Sequence, residues 1–273
     1  MTAHDRATTA LLLAAGTGSR LRPLTKNAPK CLTEVGGLPI LERLVHNLAE
    51  HGIERLVVVI GHLGDRIRDF LNHKAGDLRV EYITSSVYRT TNNIYSLWLA
   101  RDHIQEPFLL VESDLVFDSS MLEDMLHPDK IAISRIRPWM NGTTVTLGPG
   151  RRIRAFHVGR GGENDSSRYK TVNICSLSTQ TWSNVVARLN RYISDGRVGE
   201  YYEAVFAEMI ADGALSFEGA FFDPDRWYEI DTIADLNEAA RIFGRTCRAK
   251  FVPDVQRLQI AAGAPLTPVA ARD

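Results

Sequence analysis

Cysteine is scarce. Cys31, Cys175 and Cys247 are the only three in 273 residues. They stand far apart, with no CxxC pair and no metal-type spacing, which excludes a disulfide framework and a thiolate metal centre. Three free thiols fit a reducing cytoplasm, which is the expected location. No apolar run approaches the roughly 20 residues of a membrane-spanning helix, and the opening MTAHDRATTA has no signal-peptide apolar segment. Net charge is missing too: 32 basic against 33 acidic residues leave −1. No overall field draws nucleic acid or a membrane surface, so neither is expected as a partner and any basic site is local. Internal repeats and a separate linker are absent as well.

What is present is a globular chain. Its hydrophobic content of 44% is enough, at this length, to bury a large core. The first half alternates between strand and helix patterns. Strands are expected over 9–15, 55–60, 80–84 and 107–112, and helices over 39–51, 65–73 and 93–100, with Pro39 in a first turn and Gly52 as a stop. Such alternation points to βαβ units and a parallel sheet. The second half has shorter strands at 131–136, 143–147, 153–158, 171–177 and 215–221, some of them antiparallel. Helices are expected over 181–193, 202–210 and 232–243. The polar stretch 159–167 reads as a mobile loop, and the small, Pro-rich end as a flexible tail over 251–273 behind a single domain over 1–250.

The most informative stretch is LLLAAGTGSRLRPLTKNAPKCL, residues 11–32. A buried strand ends at Gly16-Thr17-Gly18, and ligands in open α/β sheets sit at the carboxyl ends of strands. Gly16 and Gly18 let backbone N–H groups approach a phosphate or base. Arg20 offers a bidentate fork and Lys30 a compact point charge, while Pro23 and Pro29 stiffen the loop between them. Together they form an anion cradle suited to a polyphosphate. A dinucleotide fingerprint would need a third glycine where Leu21 stands, and a Walker A loop would need Ser or Thr where Cys31 follows Lys30. Two acidic residues are candidates for a hard divalent cation. Asp114 ends a buried strand and also fits a turn or cap; Asp231 precedes a helix and also fits its N-cap. Glu229, two residues before Asp231, leaves the same face of an extended segment.

The run AAGTGSRLRPLTKNAPKCL resembles the signature of the nucleotidyltransferases that join an NTP to a phosphorylated acceptor. VESDLVF (111–117) and WYEIDTIADL (227–236) resemble that family's two metal-binding segments. TTNNIYSLWLA (90–100) resembles the branch holding the phosphocholine and small-phosphonate cytidylyltransferases. The resemblance covers about residues 10–243. It implies an α/β, Rossmann-like fold of the nucleotide-diphospho-sugar transferase type: a mixed, mainly parallel sheet flanked by helices. It implies Mg²⁺ held by Asp114 and Asp231 between donor and acceptor. Leu13, Ala14, Ala15 and Gly16 would pass under the base of CTP, with Thr17 and Gly18 continuing that loop. Ser85, Asn92 and Asn93 would lie nearby, although amides suit cytosine and uracil equally and Asn93 also fits a helix cap. A homodimer is compatible with the family.

The implied chemistry is in-line attack by an acceptor oxygen on the α-phosphorus, with pyrophosphate leaving. Arg20 would hold the leaving phosphates and Lys30 would neutralise charge at the reacting one. A phosphate or phosphonate oxygen is already ionised near neutral pH, so no general base is needed. Replacing Lys30 should slow the reaction by orders of magnitude with little effect on folding, because its loop reads as solvated. For the acceptor, Trp139, Tyr201, Tyr202, Trp227 and Tyr228 with Glu203, Glu229 and Asp231 could cage a quaternary ammonium. Arg135, Arg137, Arg160, Arg168 and Lys170 favour an anionic or neutral phosphonate instead. The expected acceptor is a small phosphonate of the 2-hydroxyethyl, 2-aminoethyl or phosphonoformate type, contacted by Trp139, Arg137, Tyr201, Glu203 and Glu229. Phosphocholine is the alternative, then a sugar 1-phosphate. A non-catalytic binding module is disfavoured because Lys30, Asp114 and Asp231 are all kept. A dinucleotide-dependent oxidoreductase is disfavoured by the missing glycine.

Overall fold

A computed structural model of the protein describes residues 6–158 and 167–250. The fold is built around β1 (Thr9–Ala14), whose six residues are all buried. Ala10, Leu12 and Ala14 enter the apolar core on one face of the sheet. Leu11 and Leu13 enter the core on the other. A strand covered on both faces must be apolar at every position, which is why the sequence shows a run and not an alternation. After β1 the chain makes three short 3-10 turns at Ser19–Leu21, Leu24–Lys26 and Lys30–Leu32. A two-residue hairpin follows, β2 (Glu34–Val35) with β3 (Leu38–Pro39), and then α1 (Ile40–Glu50), β4 (Arg55–Ile60), α2 (Gly64–Lys74) and β5 (Arg79–Thr84).

The chain next crosses back through α3 (Asn93–Leu99) to β6 (Phe108–Glu112), which pairs with the opposite edge of β1. The parallel block therefore runs β5-β4-β1-β6. Its order reverses direction between β1 and β6, and in α/β sheets the crevice at such a switch point is where ligands bind. Buried Leu41, Leu44 and Leu48 of α1, with Ile67 and Leu71 of α2, fill one core; Ile94 and Leu97 of α3 fill the other.

Beyond β6 come β7 (Leu115–Phe117), β8 (Lys130–Arg135), β9 (Thr144–Leu147), β10 (Ile153–His157) and β11 (Arg168–Leu177). β11 lies antiparallel to β6, β8 and β9 and joins the parallel block to the rest of the sheet. Then follow α4 (Thr179–Ser194), α5 (Tyr202–Ala211), β12 (Glu218–Phe222) parallel to β8, β13 (Trp227–Glu229) and α6 (Ile233–Lys250). Trp182, Val185 and Leu189 of α4 and Val205, Phe206 and Met209 of α5 complete the second core.

Most expected elements appear with ends shifted by one to three residues. Three differences matter. The β7–β13 ribbon is too short to read as strands. The strand expected over 215–221 begins only at Glu218. The last helix does not stop at Phe243 but runs on to Lys250, and Gly244 within it serves as packing space: a Cβ on Gly36, in the β2–β3 turn at φ +64°, would meet the Gly244 Cα at 2.6 Å. The expected polar loop, but for Ser167, and the expected tail over 251–273 lie outside the described residues.

Candidate active site

The β7–β13 ribbon assembles the centre of the site. Glu229 pairs with Leu115, and the Ile230 N–H donates to the Asp114 carbonyl at 2.9 Å. This register sets the Asp114 turn beside Asp231, 117 positions away in the chain. Asp231 does not cap α6. Thr232 does: its Oγ1 accepts from the Asp235 N–H, and Asp235 Oδ2 accepts from the backbone N–H groups of Asp231 and Thr232, a reciprocal cap. The Asp231 carboxylate is thereby left for the site.

Lys30 reaches the same place from the loop after β1. Its Nζ donates to Asp114 Oδ2 at 2.7 Å and to Asp231 Oδ1 at 2.8 Å. Arg20 Nη2 lies 2.6 Å from the same Asp231 oxygen, its own side chain 65% exposed. Gly18 makes the loop turn: it stands at φ +59°, and a Cβ there would crowd the Lys30 Cβ at 3.0 Å. The expectation of a solvated Lys30 is corrected: its side chain is 14% exposed, and those of its partners are 13% and 10% exposed. Burial acts to lower the ammonium's pKa, but attraction to Asp114 and Asp231 and the two hydrogen bonds outweigh it, and the net shift is upward. Lys30 therefore stays charged.

The residues suit a divalent cation. Carboxylate oxygens of Asp114, Glu229 and Asp231 lie within 4.8 Å of one another. Asp114 Oδ1 is buried without a hydrogen-bond partner. Buried carboxylate oxygens of this kind are what a hard cation uses.

Two compartments of about 250 Å³ each meet at this centre. The first is lined by residues 13–20, Lys30, Tyr88, Thr91, Asn92 and Asn93, so the expected Leu13, Ala14, Ala15, Gly16, Thr17 and Gly18 all face it. Ser85 does not; it is 1% exposed. Asn92 is the cap of α3, its side chain accepting from the Asn93 N–H. Asn93 is a strut between elements: Nδ2 donates to Glu112 Oε1 at 3.1 Å and Oδ1 accepts from the Tyr202 N–H at 3.0 Å.

The second compartment is lined by Asn141, Lys170, Asn173, Tyr201, Glu203 and Glu229, and shares Glu112, Asp114 and Asp231 with the first. Tyr201 is its sole aromatic among the described residues. Trp139 is elsewhere, stacked on Tyr228 at 4.0 Å between ring centroids and packed on Trp227. Arg137 is outside as well, paired with Asp225 at 3.2 Å. Arg135 is exposed, and Arg160 lies outside the described residues. Of the five cations expected to favour an anionic acceptor, Lys170 alone lines this compartment among the described residues. Three glutamates answer it. Burial raises the pKa of Glu112, Glu203 and Glu229. For Glu112, repulsion from Asp114, Glu203 and Glu229 adds to it. Glu203 Oε2 is buried with no partner. Glu112 was missed in the sequence although it ends the apolar run FLLVE, a position that faces ligands. Asn173 gave no signal at all.

A description of the MobA-like NTP transferase domain matches residues 10–139. The choline-phosphate cytidylyltransferase of Streptococcus pneumoniae is 31% identical over 236 residues, 85% of this chain and 97% of its own length. The chain belongs to the nucleotidyltransferase family, on its cytidylyltransferase branch. This cytidylyltransferase-branch enzyme is also 29% identical over 240 residues to the CMP-5'-(3-aminopropyl)phosphonate synthase of Streptomyces rubellomurinus, a match spanning 84% of this chain and only 38% of that protein. The solved CTP:phosphocholine cytidylyltransferase of Streptococcus pneumoniae superposes with a TM-score of 0.76 at 22% identity, over 87% of this chain and 99% of that one. The inositol-1-phosphate CTP transferase of T. maritima gives 0.72 at 20% identity, over 89% and 97%. These likenesses show the nucleotidyltransferase fold. No helix among the described residues is long and apolar enough to cross a membrane.

Proposed function

We propose that the enzyme moves CMP from CTP to a small phosphonate carrying a primary ammonium group, an aminoalkylphosphonate. The new bond joins an acceptor oxygen to the α-phosphorus. The bond to the bridging oxygen breaks, and pyrophosphate leaves with the electron pair. Lys30 lines the first compartment and bonds Asp114 and Asp231, which line both, and would supply positive charge where donor and acceptor meet; Arg20, which lines both, would hold the leaving phosphates. Asp114 and Asp231 would hold Mg²⁺, with Glu229 alongside. A divalent cation bound there neutralises phosphate oxygens. The glycine loop accounts for close backbone approach to the nucleotide.

The observation that carries the acceptor reading is the charge of the second compartment: the carboxylates of Glu112, Asp114, Glu203, Glu229 and Asp231 against Arg20 and Lys170, with Glu203 buried and its Oε2 unpartnered. A bound ammonium relieves both the burial cost and the mutual repulsion. A primary ammonium donates three hydrogen bonds and suits carboxylates. A trimethylammonium donates none and is held by aromatic faces, of which this compartment has Tyr201 alone. Hydroxyalkyl and formyl-type phosphonates offer no cation.

The test is turnover with CTP, Mg²⁺ and pyrophosphatase across 2-aminoethylphosphonate, 3-aminopropylphosphonate, phosphocholine, 2-hydroxyethylphosphonate and phosphonoformate. The amines should have the highest kcat/KM. Glu203→Gln should raise the amine KM by about tenfold, the worth of one charge-assisted hydrogen bond, with the CTP KM unchanged. Preference for phosphocholine or a hydroxyalkyl acceptor would overturn the reading.

A further inference from the structure

β11 is irregular where it borders the second compartment. Its register with β8 steps from Thr171↔Ile133 to Cys175↔Ile131, so β11 advances four residues while β8 advances two. Its pairing with β6 ends at Ile174↔Val111, one position short of the Glu112 level and the ligand edge. Inside this bulge Asn173 stands at φ +60°. Among the described non-glycine residues at positive φ, it alone lies within a strand. A side chain there carries a conformational cost that Asn tolerates better than most, and bulges beside active sites re-aim side chains.

The re-aimed amide has definite partners. Asn173 Nδ2 donates to Glu229 Oε1 at 3.3 Å. Its Oδ1 accepts from Thr171 Oγ1 at 3.3 Å, and that hydroxyl is itself tied to the Thr143 carbonyl at 3.1 Å. The other Glu229 oxygen, Oε2, lies 3.4 Å from Lys170 Nζ, and Lys170 is anchored on the Thr171 carbonyl at 2.6 Å. One oxygen of Glu229 is thus held from each side of the bulge. Glu229, Lys170 and Asn173 all line the second compartment and none lines the first.

We infer that Asn173 is a positioning residue that fixes the Glu229 carboxylate toward the acceptor and thereby sets acceptor selectivity, an inference that rests on the acceptor reading above. Glu229 ends a three-residue strand beside the like-charged Asp114 and Asp231, and its bonds to Asn173 and Lys170 are what fix its direction. The bulge supplies a neutral donor within hydrogen-bond distance of Glu229, and an aspartate in its place would repel the group it has to hold.

The test uses the full chain with Asn173→Gly, which keeps the left-handed backbone and deletes only the amide, and Asn173→Asp, which keeps the shape and reverses the interaction. Asn173→Gly should raise the KM of the preferred acceptor by about fivefold and Asn173→Asp by more, both with the CTP KM unchanged. The kcat/KM ratio of 2-aminoethylphosphonate over 2-hydroxyethylphosphonate should fall in both. An acceptor KM within twofold of the parent in Asn173→Gly, or equal rises in the acceptor and CTP KM values, overturns the inference by leaving Asn173 a purely backbone role. The parent enzyme's preference for 2-aminoethylphosphonate over 2-hydroxyethylphosphonate tests the acceptor reading separately. Should that preference fail, the KM split is read with whichever acceptor the parent uses, so the two failures remain distinct.

Discussion

Replacing Lys30 with alanine should damage the fold as well as the reaction. Its Nζ is the shared hydrogen-bond donor to Asp114 and Asp231 at 2.7 and 2.8 Å, and all three side chains are 14% exposed or less. Removing one partner of a buried ion pair leaves uncompensated charge and costs about 3–5 kcal/mol. Relief comes from Arg20, which still reaches Asp231, so the lower end, about 3 kcal/mol, is expected. At about 2–4 °C per kcal/mol for a chain of roughly this size, the melting temperature should fall by about 6–12 °C. Sign and pH window follow from the raised pKa of Lys30. A group raised in the folded state contributes fully below its unfolded value, about 10.4, and loses its contribution as pH rises through the folded value. The gap between parent and variant should be flat from pH 6 to 9. Adding Mg²⁺ or Mn²⁺ without nucleotide should raise the variant's melting temperature more than the parent's, because the two aspartates have lost their resident cation. Single-turnover rates should fall by about 10²–10³, the usual loss for one preorganised charge at a reacting phosphate. Scanning calorimetry beside rapid-quench kinetics reads both. A variant melting within 2 °C of the parent would refute the argument that Lys30 holds the acidic pair together.

Two further outcomes follow from groups away from the candidate active site. Arg55 bonds Glu81 at 2.7 Å and Glu106 at 2.6 Å at the sheet edge opposite the site. The Arg55 hydrogen bonds hold Glu81 below the usual carboxylate range; at Glu106 burial acts upward, but hydrogen bonds from Thr9 and Arg55 outweigh it and the net shift is downward. Groups depressed in the folded state stabilise above their unfolded value, about 4.3, and lose that stabilisation as pH falls through the folded one. The melting-temperature gap between the parent and Arg55→Met should therefore narrow from pH 6 to pH 3, and a constant gap in calorimetry counts against the cluster. Burial pushes the Cys31 thiol up to about 12, so peptide mapping after alkylation at pH 8 should find Cys31 unmodified in native protein and fully modified in urea; equal labelling would contradict its burial.

How much of this was legible in the sequence depended on whether the signal was local. The glycine turn after β1 and the cations behind it were readable because they stand in one short stretch of chain, and so was the parallel block, because a strand buried on both faces must be apolar throughout. Asp114 and Asp231 were readable as candidates but ambiguous, each fitting a cap or turn. Thr232 resolved Asp231 by taking the cap itself, a choice set by the reciprocal bond with Asp235. Trp139 and Arg137 misled because residue type carries no direction: an aromatic suited to a cage is equally suited to stacking on Tyr228. Asn173 was invisible, because a bulge depends on the register of two strands and a single segment does not contain it.

The residues by themselves determined the groups available: two cations behind a glycine turn, carboxylates that are candidates for a hard cation, and a sheet whose strand ends face one crevice. Only the tertiary structure decided that the second compartment is acidic, that Lys30 is buried, and that Glu229 is gripped by β11. The physical reason is that charge balance and burial belong to sets of groups brought together across the fold. The three-residue pairing of β7 with β13, which sets Asp114 beside Asp231, is too short to leave a periodicity in the chain.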